Sequence, residues 1–175
     1  SQVTCDAQGY IQSLQTSAGT TVAGDLFIDC SGFSALLLGK HYDIPLTGVD
    51  SILFNDRALA TQLAYPPSDD SIKSTTWASA QTAGWIWDIG LRERRGVGYV
   101  FSSAHTDEAA AEQTLEKYLR LQAPEPKAGT PWKAPRLLAF KPGYRETFWH
   151  KNCVAIGLAA GFVEPLEASA LVLVE

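Results

Sequence analysis

The stretch that decides the fold is residues 152–171, NCVAIGLAAGFVEPLEASAL. An apolar, strand-like run in it ends at Gly157, small residues follow, and the acids Glu164 and Glu167 then enclose Pro165. Small residues after a buried strand let backbone amides approach a ligand, and the N-terminus of a following helix favours negative charge. The stretch therefore predicts one wall of a nucleotide-type site, although a turn that only packs a helix against a strand has a similar pattern.

A second stretch, residues 25–33, DLFIDCSGF, shows the same pattern earlier in the chain. Its nearly continuous apolar run is typical of a central strand buried on both faces, and it ends in a turn that contains Gly32. In open α/β sheets, ligands bind at the carboxyl ends of such strands. We therefore expect an α/β fold in which the two glycine turns line one site, although the chain contains no G-x-G-x-x-G motif.

The two acids of the first stretch have two interpretations. Glu164 and Glu167 are three residues apart, so they would share one face of a helix, and one of them could serve as an acid–base group or a hydrogen-bond anchor. They could equally be first-turn acids that stabilise a helix N-terminus, with Pro165 at the first helical position. The pattern alone leaves both interpretations open.

The rest of the sequence predicts a β-meander in residues 1–30, loops with short strands in residues 40–75, and one clear helix. The helix covers residues 107–122, with Thr106 as its N-cap. Its apolar stripe consists of Ala111, Leu115, Tyr118 and Leu119.

Residues 85–90, WIWDIG, alternate in the manner of a strand, and residues 97–101 alternate on the way back, which indicates a hairpin. Trp85 and Trp87 would lie on one face of the first strand. Aromatic faces often line flat ligands, but core packing of the hairpin is an alternative. We expect the run RERR at residues 92–95 to be a solvated turn.

Composition excludes several classes of function. The 175 residues carry a formal net charge of −5, which argues against nucleic-acid binding because that needs a basic surface. No apolar run approaches the ~18–20 residues of a membrane span. The three histidines have no metal-ligand spacing, so we expect no metal site.

The cysteines and the chain ends indicate a compartment and a context. Cys5, Cys30 and Cys153 form no CxxC motif, so we expect buried, reduced thiols in a cytoplasmic protein. No signal peptide is visible. Both ends fall within apolar, element-like patterns, so we expect an internal piece of a longer protein.

Taken together and in this order, the three stretches resemble the flavin-dependent tryptophan halogenase family. Residues 25–33 are similar to its second flavin-binding segment, residues 85–90 to its W-x-W-x-I-P signature, and residues 157–169 to the segment with its catalytic glutamate. Gly90 stands where the signature has proline. The resemblance covers nearly the whole chain but only the middle of such an enzyme, because the N-terminal G-x-G-x-x-G motif and the catalytic lysine are missing.

The resemblance implies a partial FAD-binding fold, of the glutathione-reductase-like or monooxygenase-like type, with a β-meander, a mixed sheet and flanking helices. It implies a single partial domain over residues 1–175. Within it, residues 1–40 would belong to the FAD-binding module, residues 41–150 to a substrate-side sheet and helix, and residues 151–175 again to the FAD-binding module.

The resemblance also implies a chemistry. Reduced FAD from a separate flavin reductase, oxygen and a halide ion would yield hypohalous acid, which halogenates an electron-rich arene such as tryptophan or indole. Glu167 matches the catalytic glutamate, and the backbone amides of Ser169 and Ala170 match the halide site. Trp85 and Trp87 match the signature tryptophans on the substrate side. The matched flavin contacts are Gly32, Gly157, Leu158, Ala160, Gly161, Phe162 and Pro165.

Two alternative functions stay open at this point. The first is a flavoprotein monooxygenase of the same fold, which would share the flavin-binding segments. The second is a fragment of the flavin fold without catalytic activity, which could contain all three stretches. The resemblance also allows a homodimer. Ala168 and Ala170 stand where tryptophan-specific members more often carry Ser and Gly, so the arene is not fixed. We expect the 175 residues alone to be inactive.

Overall fold

The computed structural model describes residues 2–65, 72–122, 132–163 and 166. It shows a mixed α/β fold that divides into two compact units. Unit 1 comprises Ser1–Leu53 and Lys141–Glu175, and unit 2 comprises Phe54–Phe140. Within the described ranges, no helix has the length and apolar character needed to cross a membrane.

The described ranges contain fourteen strands, one α-helix and two short 3₁₀ helices. The first strands are β1 (Gln2–Cys5), β2 (Ile11–Gln15), β3 (Thr21–Ala23), β4 (Phe27–Asp29), β5 (Leu46–Gly48), β6 (Arg57–Ala64), β7 (Trp77–Gln81), β8 (Gly84–Gly90) and β9 (Arg94–Phe101). After the helix α1 (Glu108–Gln122) come β10 (Arg136–Ala139), β11 (Gly143–Arg145), β12 (Trp149–His150), β13 (Cys153–Ala155) and β14 (Gly161–Phe162). The 3₁₀ helices are Gly32–Ser34 and Gly157–Ala159.

Unit 2 is a five-stranded antiparallel sheet, ordered β10-β6-β9-β8-β7, with α1 packed on one face. The predicted stripe of the helix is confirmed, since Ala111, Leu115 and Leu119 are fully buried and Tyr118 packs beside them. They contact strand residues that alternate toward the same face, as a period of two requires. The strand side of this core consists of Leu59, Leu63, Ile86, Val97, Tyr99 and Phe101.

Strand β6 corrects the prediction of loops with short strands in residues 40–75. Arg57–Ala64 is an eight-residue strand that pairs with β9 along its whole length and with β10 on its other side. Its sequence, RALATQLA, places Leu59 and Leu63 on the buried face and small alanines on the opposite face. Alanine is depleted in strands, so this alternation carries little signal in the sequence.

The N-terminus of α1 also differs from the prediction. The Asp107 carboxylate accepts a hydrogen bond from the Ala110 N–H at 2.8 Å, so Asp107 is the N-cap and Thr106 is not. The helix then begins at Glu108, whose charge lies in the positive first turn.

Unit 1 contains the predicted β-meander, β1-β2-β3, and two further three-stranded sheets. The sheet β14-β11-β5 is antiparallel. The sheet β12-β13-β4 is mixed, because β13 runs parallel to β4 and antiparallel to β12. The core of the unit includes Ile11, Phe27, Leu38, Cys153 and Ala155.

The side chain of Asn152 joins the meander to the mixed sheet. Its amide accepts a hydrogen bond from the Ile11 N–H at 2.9 Å and donates to the Ile11 carbonyl at 2.8 Å, as a neighbouring strand would. It also donates to the Asp25 carbonyl at 3.1 Å. One polar side chain thus takes the place of a longer ladder of backbone pairs.

Strand β4 is buried on one face instead of two. Phe27 and Asp29 are buried, whereas Ile28 is 54% exposed on the opposite face. Because β4 lies at the edge of its sheet and alternates, Cys30 continues the open face and is exposed, contrary to the prediction of buried thiols. Cys153 is buried as predicted, and Cys5 is half-buried.

Candidate functional site

Two bends lie side by side at the carboxyl ends of β4 and β13. The strands are parallel neighbours, with Asp29 opposite Ala155, and the Ile156 N–H donates to the Asp29 carbonyl at 3.2 Å. The chain therefore leaves both strands at the same edge of the sheet. Ligands of α/β sheets bind at this edge.

Both bends turn on a glycine in the left-handed region. Gly32 has φ of 65° and Gly157 has φ of 60°, values that residues with a side chain rarely adopt. A Cβ atom added at either glycine would find no heavy atom of the described residues within 4 Å. Each bend therefore presents bare backbone to open space, as a cradle for a flat ligand requires.

The carboxylate of Asp29 fixes the first bend. Its Oδ1 accepts from the Ser31 N–H at 3.1 Å and the Ser31 hydroxyl at 2.5 Å. Its Oδ2 accepts from the N–H groups of Leu37 and Leu38, each at 2.9 Å. Burial by itself raises the pKa of Asp29. These hydrogen bonds together lower the pKa by more than burial raises it, so the pKa lies below its ordinary value of 3.8. Asp29 is thus ionised at neutral pH, and its hydrogen bonds shape the loop.

The second bend has an open half and a packed half. The Ala160 N–H donates to the Gly157 carbonyl at 3.0 Å and closes the turn, with Leu158 exposed on it. Ala160 is buried in the core of unit 1. A Cβ atom at Gly161 would lie 2.7 Å from the Gly143 carbonyl oxygen, so that glycine permits close pairing of β14 with β11. Among the predicted flavin contacts, Gly157 and Leu158 therefore face outward, whereas Ala160 and Gly161 face the protein.

Two further contacts hold the bends in place. The rings of Phe33 and Phe162 meet edge to face with centroids 5.7 Å apart, which ties the first bend to the strand after the second. The Arg145 guanidinium donates to the carbonyls of Ile44 at 2.7 Å and Ala159 at 3.4 Å. The sequence analysis missed Arg145, because an isolated arginine in a short strand carries no recognisable pattern.

The remaining predicted residues of this site, Pro165, Glu167, Ser169 and Ala170, lie outside the described residues. Their roles stay predictions, as does the choice between the two interpretations of the acids.

The signature tryptophans share one face of β8. The rings of Trp85 and Trp87 lie with centroids 6.3 Å apart, on the face opposite to the buried Ile86. A Cβ atom at Gly98, directly across from Trp87, would lie 2.1 Å from its indole, so that ring covers the neighbouring strand. The two indoles are thus outside the core beneath α1, on the far face of the sheet.

A buried ionic cluster backs this hairpin, and the sequence analysis missed it. Arg95, expected in a solvated turn, is buried, and its Nε donates to Asp88 Oδ1 at 2.9 Å while its Nη2 pairs with Oδ2. The Tyr118 hydroxyl donates to the same Oδ2 at 3.0 Å. The hydrogen bond with Asp88 raises the pKa of Arg95. Burial, then the charge of Asp88, raises the pKa of Tyr118 to about 12.

The pairing of Arg95 with Asp88 can be recognised in the sequence only after the register of the hairpin is known. Asp88 pairs with Val97, so Arg95, two residues before Val97, lies on the same face and diagonally opposite Asp88. Opposite charges at such positions indicate a pair. The sequence alone placed Arg95 in the turn and so on no face.

Comparison with known proteins gives a consistent result. The chain matches the tryptophan halogenase family over residues 1–175. It is 37% identical over 169 residues to the 7-chloro-L-tryptophan 6-halogenase KtzR of Kutzneria sp. (strain 744), a match that covers 97% of this chain and 31% of the relative. The chain therefore spans about a third of the length of such relatives.

Solved structures agree with this match. The crystal structure of a tryptophan halogenase from Shewanella frigidimarina NCIMB 400 is 51% identical, with a TM-score of 0.86 over 100% of this chain and 32% of that one. The flavin-dependent halogenase BrvH from Brevundimonas sp. BAL3 is 39% identical, with a TM-score of 0.86 over 98% of this chain and 33% of that one. The fold of this chain is thus the corresponding third of a flavin-dependent halogenase.

Proposed function

The chain belongs to the tryptophan halogenase family, and we propose that it supplies the flavin-side bends and the tryptophan hairpin of a flavin-dependent halogenase. The whole enzyme would halogenate an electron-rich aromatic compound, such as tryptophan or indole, with reduced FAD, oxygen and a halide ion. Because the chain spans 31% of a relative such as KtzR, that activity is a property of a longer protein.

The observation that carries the proposal is the pair of bare glycine bends at one edge of the sheet. Gly32 and Gly157 both have positive φ and both have open space at the Cβ position. A planar isoalloxazine edge can approach backbone amides closely only where no side chain intervenes. The residues present therefore fit a flavin, which, when bound in its reduced form, would supply the electrons that activate oxygen, the oxidant that converts the halide to hypohalous acid.

This chain's own residues would hold and orient the ring. Asp29, ionised at all but strongly acidic pH, keeps the first bend in a single shape through its four hydrogen bonds. Arg145 supports the second bend from behind. The bends are thus set before the flavin arrives, which lowers the entropic cost of binding.

The halide side follows from the matched segment. We propose Glu167 as the catalytic carboxylate that hydrogen-bonds the halogenating species and aims it at the arene. The backbone amides of Ser169 and Ala170 would bind the halide ion, as paired N–H groups bind anions elsewhere. Pro165 would lie against the flavin. Trp85 and Trp87 would line the substrate side, where flat aromatic faces suit an aromatic guest.

The surrounding proposals are coarser. Reduced FAD would arrive from a separate flavin reductase, and the protein would work in the cytoplasm. Residues 1–40 and 151–175 would belong to the FAD-binding module and residues 41–150 to the substrate side.

A chimera tests the proposal directly. This chain replaces the matching third of the Shewanella frigidimarina halogenase, and products are assayed with flavin reductase, FAD, oxygen and bromide on indole and tryptophan. We expect brominated arene from the chimera and none from the 175 residues alone. Glu167→Gln should lower the rate at least roughly 100-fold, the scale of a lost acid–base group. The matched control Glu164→Gln should keep most of it.

Two results would refute the assignment. One is a chimera that binds FAD and yields hydroxylated arene without need of halide, because that product defines a monooxygenase. The other is an equal rate for Glu167→Gln and the unsubstituted chimera. The parent halogenase, assayed in parallel, provides the reference rate.

A further inference from the structure

A cysteine and a histidine form a close pair in unit 1. Cys5, the last residue of β1, has its Sγ 3.2 Å from the Nε2 of His41. Cys5 is half-buried and His41 is exposed. The proposed halogenase chemistry uses neither residue.

Aromatic rings hold the imidazole in place. The ring of Tyr42 contacts two imidazoles. Its centroid lies 4.7 Å from that of His41 and 4.7 Å from that of His150. The Tyr42 hydroxyl donates to the Gly9 carbonyl at 2.9 Å, which fixes Tyr42 against the turn after β1. The histidine is therefore positioned beside the thiol by packing that does not involve the thiol itself.

The pair has the geometry of an activated nucleophile. A thiol within hydrogen-bond reach of an imidazole can pass its proton to the ring nitrogen, and the thiolate is the reactive form. The charges of Asp6, next to Cys5 in the chain, and of Asp43, two residues after His41, would oppose formation of a thiolate. The Asp6 carboxylate, however, accepts hydrogen bonds from the N–H groups of Gln8 and Tyr10 and from the Gln12 amide. The ammonium of Lys151 bonds the Gln8 carbonyl in the same turn and offsets the acid.

The other two cysteines lack this arrangement. Cys153 is fully buried, and burial, then the charge of Asp29, raises its pKa to about 11. Cys30 is exposed, and none of the hydrogen bonds of the described residues joins it to a histidine. The chain thus carries three thiols in three environments: paired with a base, open to solvent, and buried.

We propose that Cys5 is a modification site, a thiol that His41 activates toward soft electrophiles and above all toward small disulfides such as oxidised glutathione. The Cys5 proton passes to His41 Nε2, and the thiolate attacks one sulfur of the disulfide. The original S–S bond breaks as the new one to Cys5 forms. The departing thiolate takes the proton from His41, so Cys5 is oxidised and one glutathione is released reduced.

The test compares the three thiols within one sample. The folded chain is incubated with oxidised glutathione at pH 7, quenched with acid and digested, and mixed disulfides are mapped by mass spectrometry over time. We expect Cys5 to react roughly tenfold or more faster than Cys30 despite its lower exposure, because His41 lies within reach to take the thiol proton as the sulfur attacks. Cys153 should stay unmodified. In urea the three rates should converge, since unfolding separates Cys5 from His41.

Two histidine variants distinguish activation from exposure. His41→Gln keeps a polar side chain of similar size but no base, and it should lower the Cys5 rate roughly tenfold while Cys30 stays unchanged. His150→Gln alters the same ring cluster without touching the thiol and should leave the Cys5 rate unchanged. Thermal melting verifies that both variants are folded.

The pH profile provides a second readout. The pH dependence of the Cys5 rate should differ from that of the Cys30 rate, and His41→Gln should remove the difference. The proposal is overturned if folded Cys5 reacts no faster than Cys30. It is equally overturned if His41→Gln leaves the Cys5 rate and profile unchanged.

Discussion

Different kinds of interaction stabilise the two units of the chain internally. Unit 2 buries one face of a five-stranded sheet under the 15-residue helix α1. Unit 1 consists of three-stranded sheets with short strands. Its segments are joined by hydrogen bonds in which the Asp29 side chain accepts from backbone N–H groups and the Asn152 and Arg145 side chains donate to backbone carbonyls. Packing beneath α1 and the buried Arg95–Asp88 pair thus position the tryptophan hairpin, whereas hydrogen bonds between backbone groups and the side chains of Asp29 and Arg145 position the glycine bends.

The units also differ in what they leave exposed. Parallel strands are usually covered on both faces, yet Ile28 on β4 and Ile156 after β13 are exposed. In unit 2, the corresponding central strand β9 is buried over most of its length. The two units thus differ in the interactions on which their stability depends, and substitutions in each unit test that difference.

Arg95→Met should have the largest effect, in unit 2. Loss of the guanidinium leaves the Asp88 carboxylate buried without its ion-pair partner, which costs about 3–5 kcal/mol. The free energy of urea unfolding measures the effect, and hydrogen exchange assigns it to β8 and β9. The double variant Arg95→Met/Asp88→Leu should recover much of the loss because it removes the unpaired charge. A loss under about 1 kcal/mol for the single variant would contradict a buried pair.

Leu115→Ala tests the hydrophobic part of unit 2. Leu115 is fully buried beneath the sheet, so its truncation should cost about 3 kcal/mol of unfolding free energy. Leu121→Ala, on the same helix at a residue that is 72% exposed, is the matched control and should change stability by less than about 0.5 kcal/mol. Similar losses for both variants would mean that α1 does not pack as described.

Asn152→Ala tests the polar joint of unit 1. The change leaves the Ile11 N–H and carbonyl without their partner, for a cost of about 2 kcal/mol. Asn152→Asp keeps the acceptor and removes the donor, so its cost should be intermediate. Exchange of the Ile11 amide hydrogen should speed up in the alanine variant and less in the aspartate variant. An unchanged exchange rate of the Ile11 amide would show that Asn152 does not hold the meander against the mixed sheet.

The pH dependence of unit 1 should be the smallest effect. The pKa of Asp29 is lowered on folding, so its stabilisation is present above the ordinary value of 3.8 and is lost as pH falls through the lower folded value. The Leu37 and Leu38 amides should then exchange faster in acid than those of α1, after correction for intrinsic rates. Asn in place of Asp29 should abolish the pH-dependent part. Equal acid sensitivity of the two units would contradict this assignment.

The sequence could predict the elements whose signal is local. The glycine turns, the meander, the hairpin and the apolar stripe of α1 depend on residues close together in the chain, and the structure has each of them. Strand β6 was missed because alternating alanines carry a weak strand signal. The open face of β4 was missed because an apolar run does not reveal whether a strand is central or at an edge.

The polar contacts were missed for a different reason. Asn152 meets Ile11 across 141 residues, and Arg95 meets Asp88 only once the register is set. No local pattern distinguishes a buried, paired arginine from a solvated one. The glycines of the predicted site could be predicted from the local turn pattern. The roles of Asp29 and Arg145 could be recognised only once the fold was known.

The most direct test of the central claim is the FAD affinity of the chimera with valine at one of two glycines. Gly157→Val fills the open space at the second bend. Gly19→Val, in the meander turn, imposes the same strain at φ of 80° and also meets no heavy atom within 4 Å. We predict that Gly157→Val weakens FAD binding roughly 100-fold, about 2.7 kcal/mol, while Gly19→Val leaves the Kd unchanged at similar thermal stability. Equal Kd values for the two variants would contradict a flavin seated against the bend.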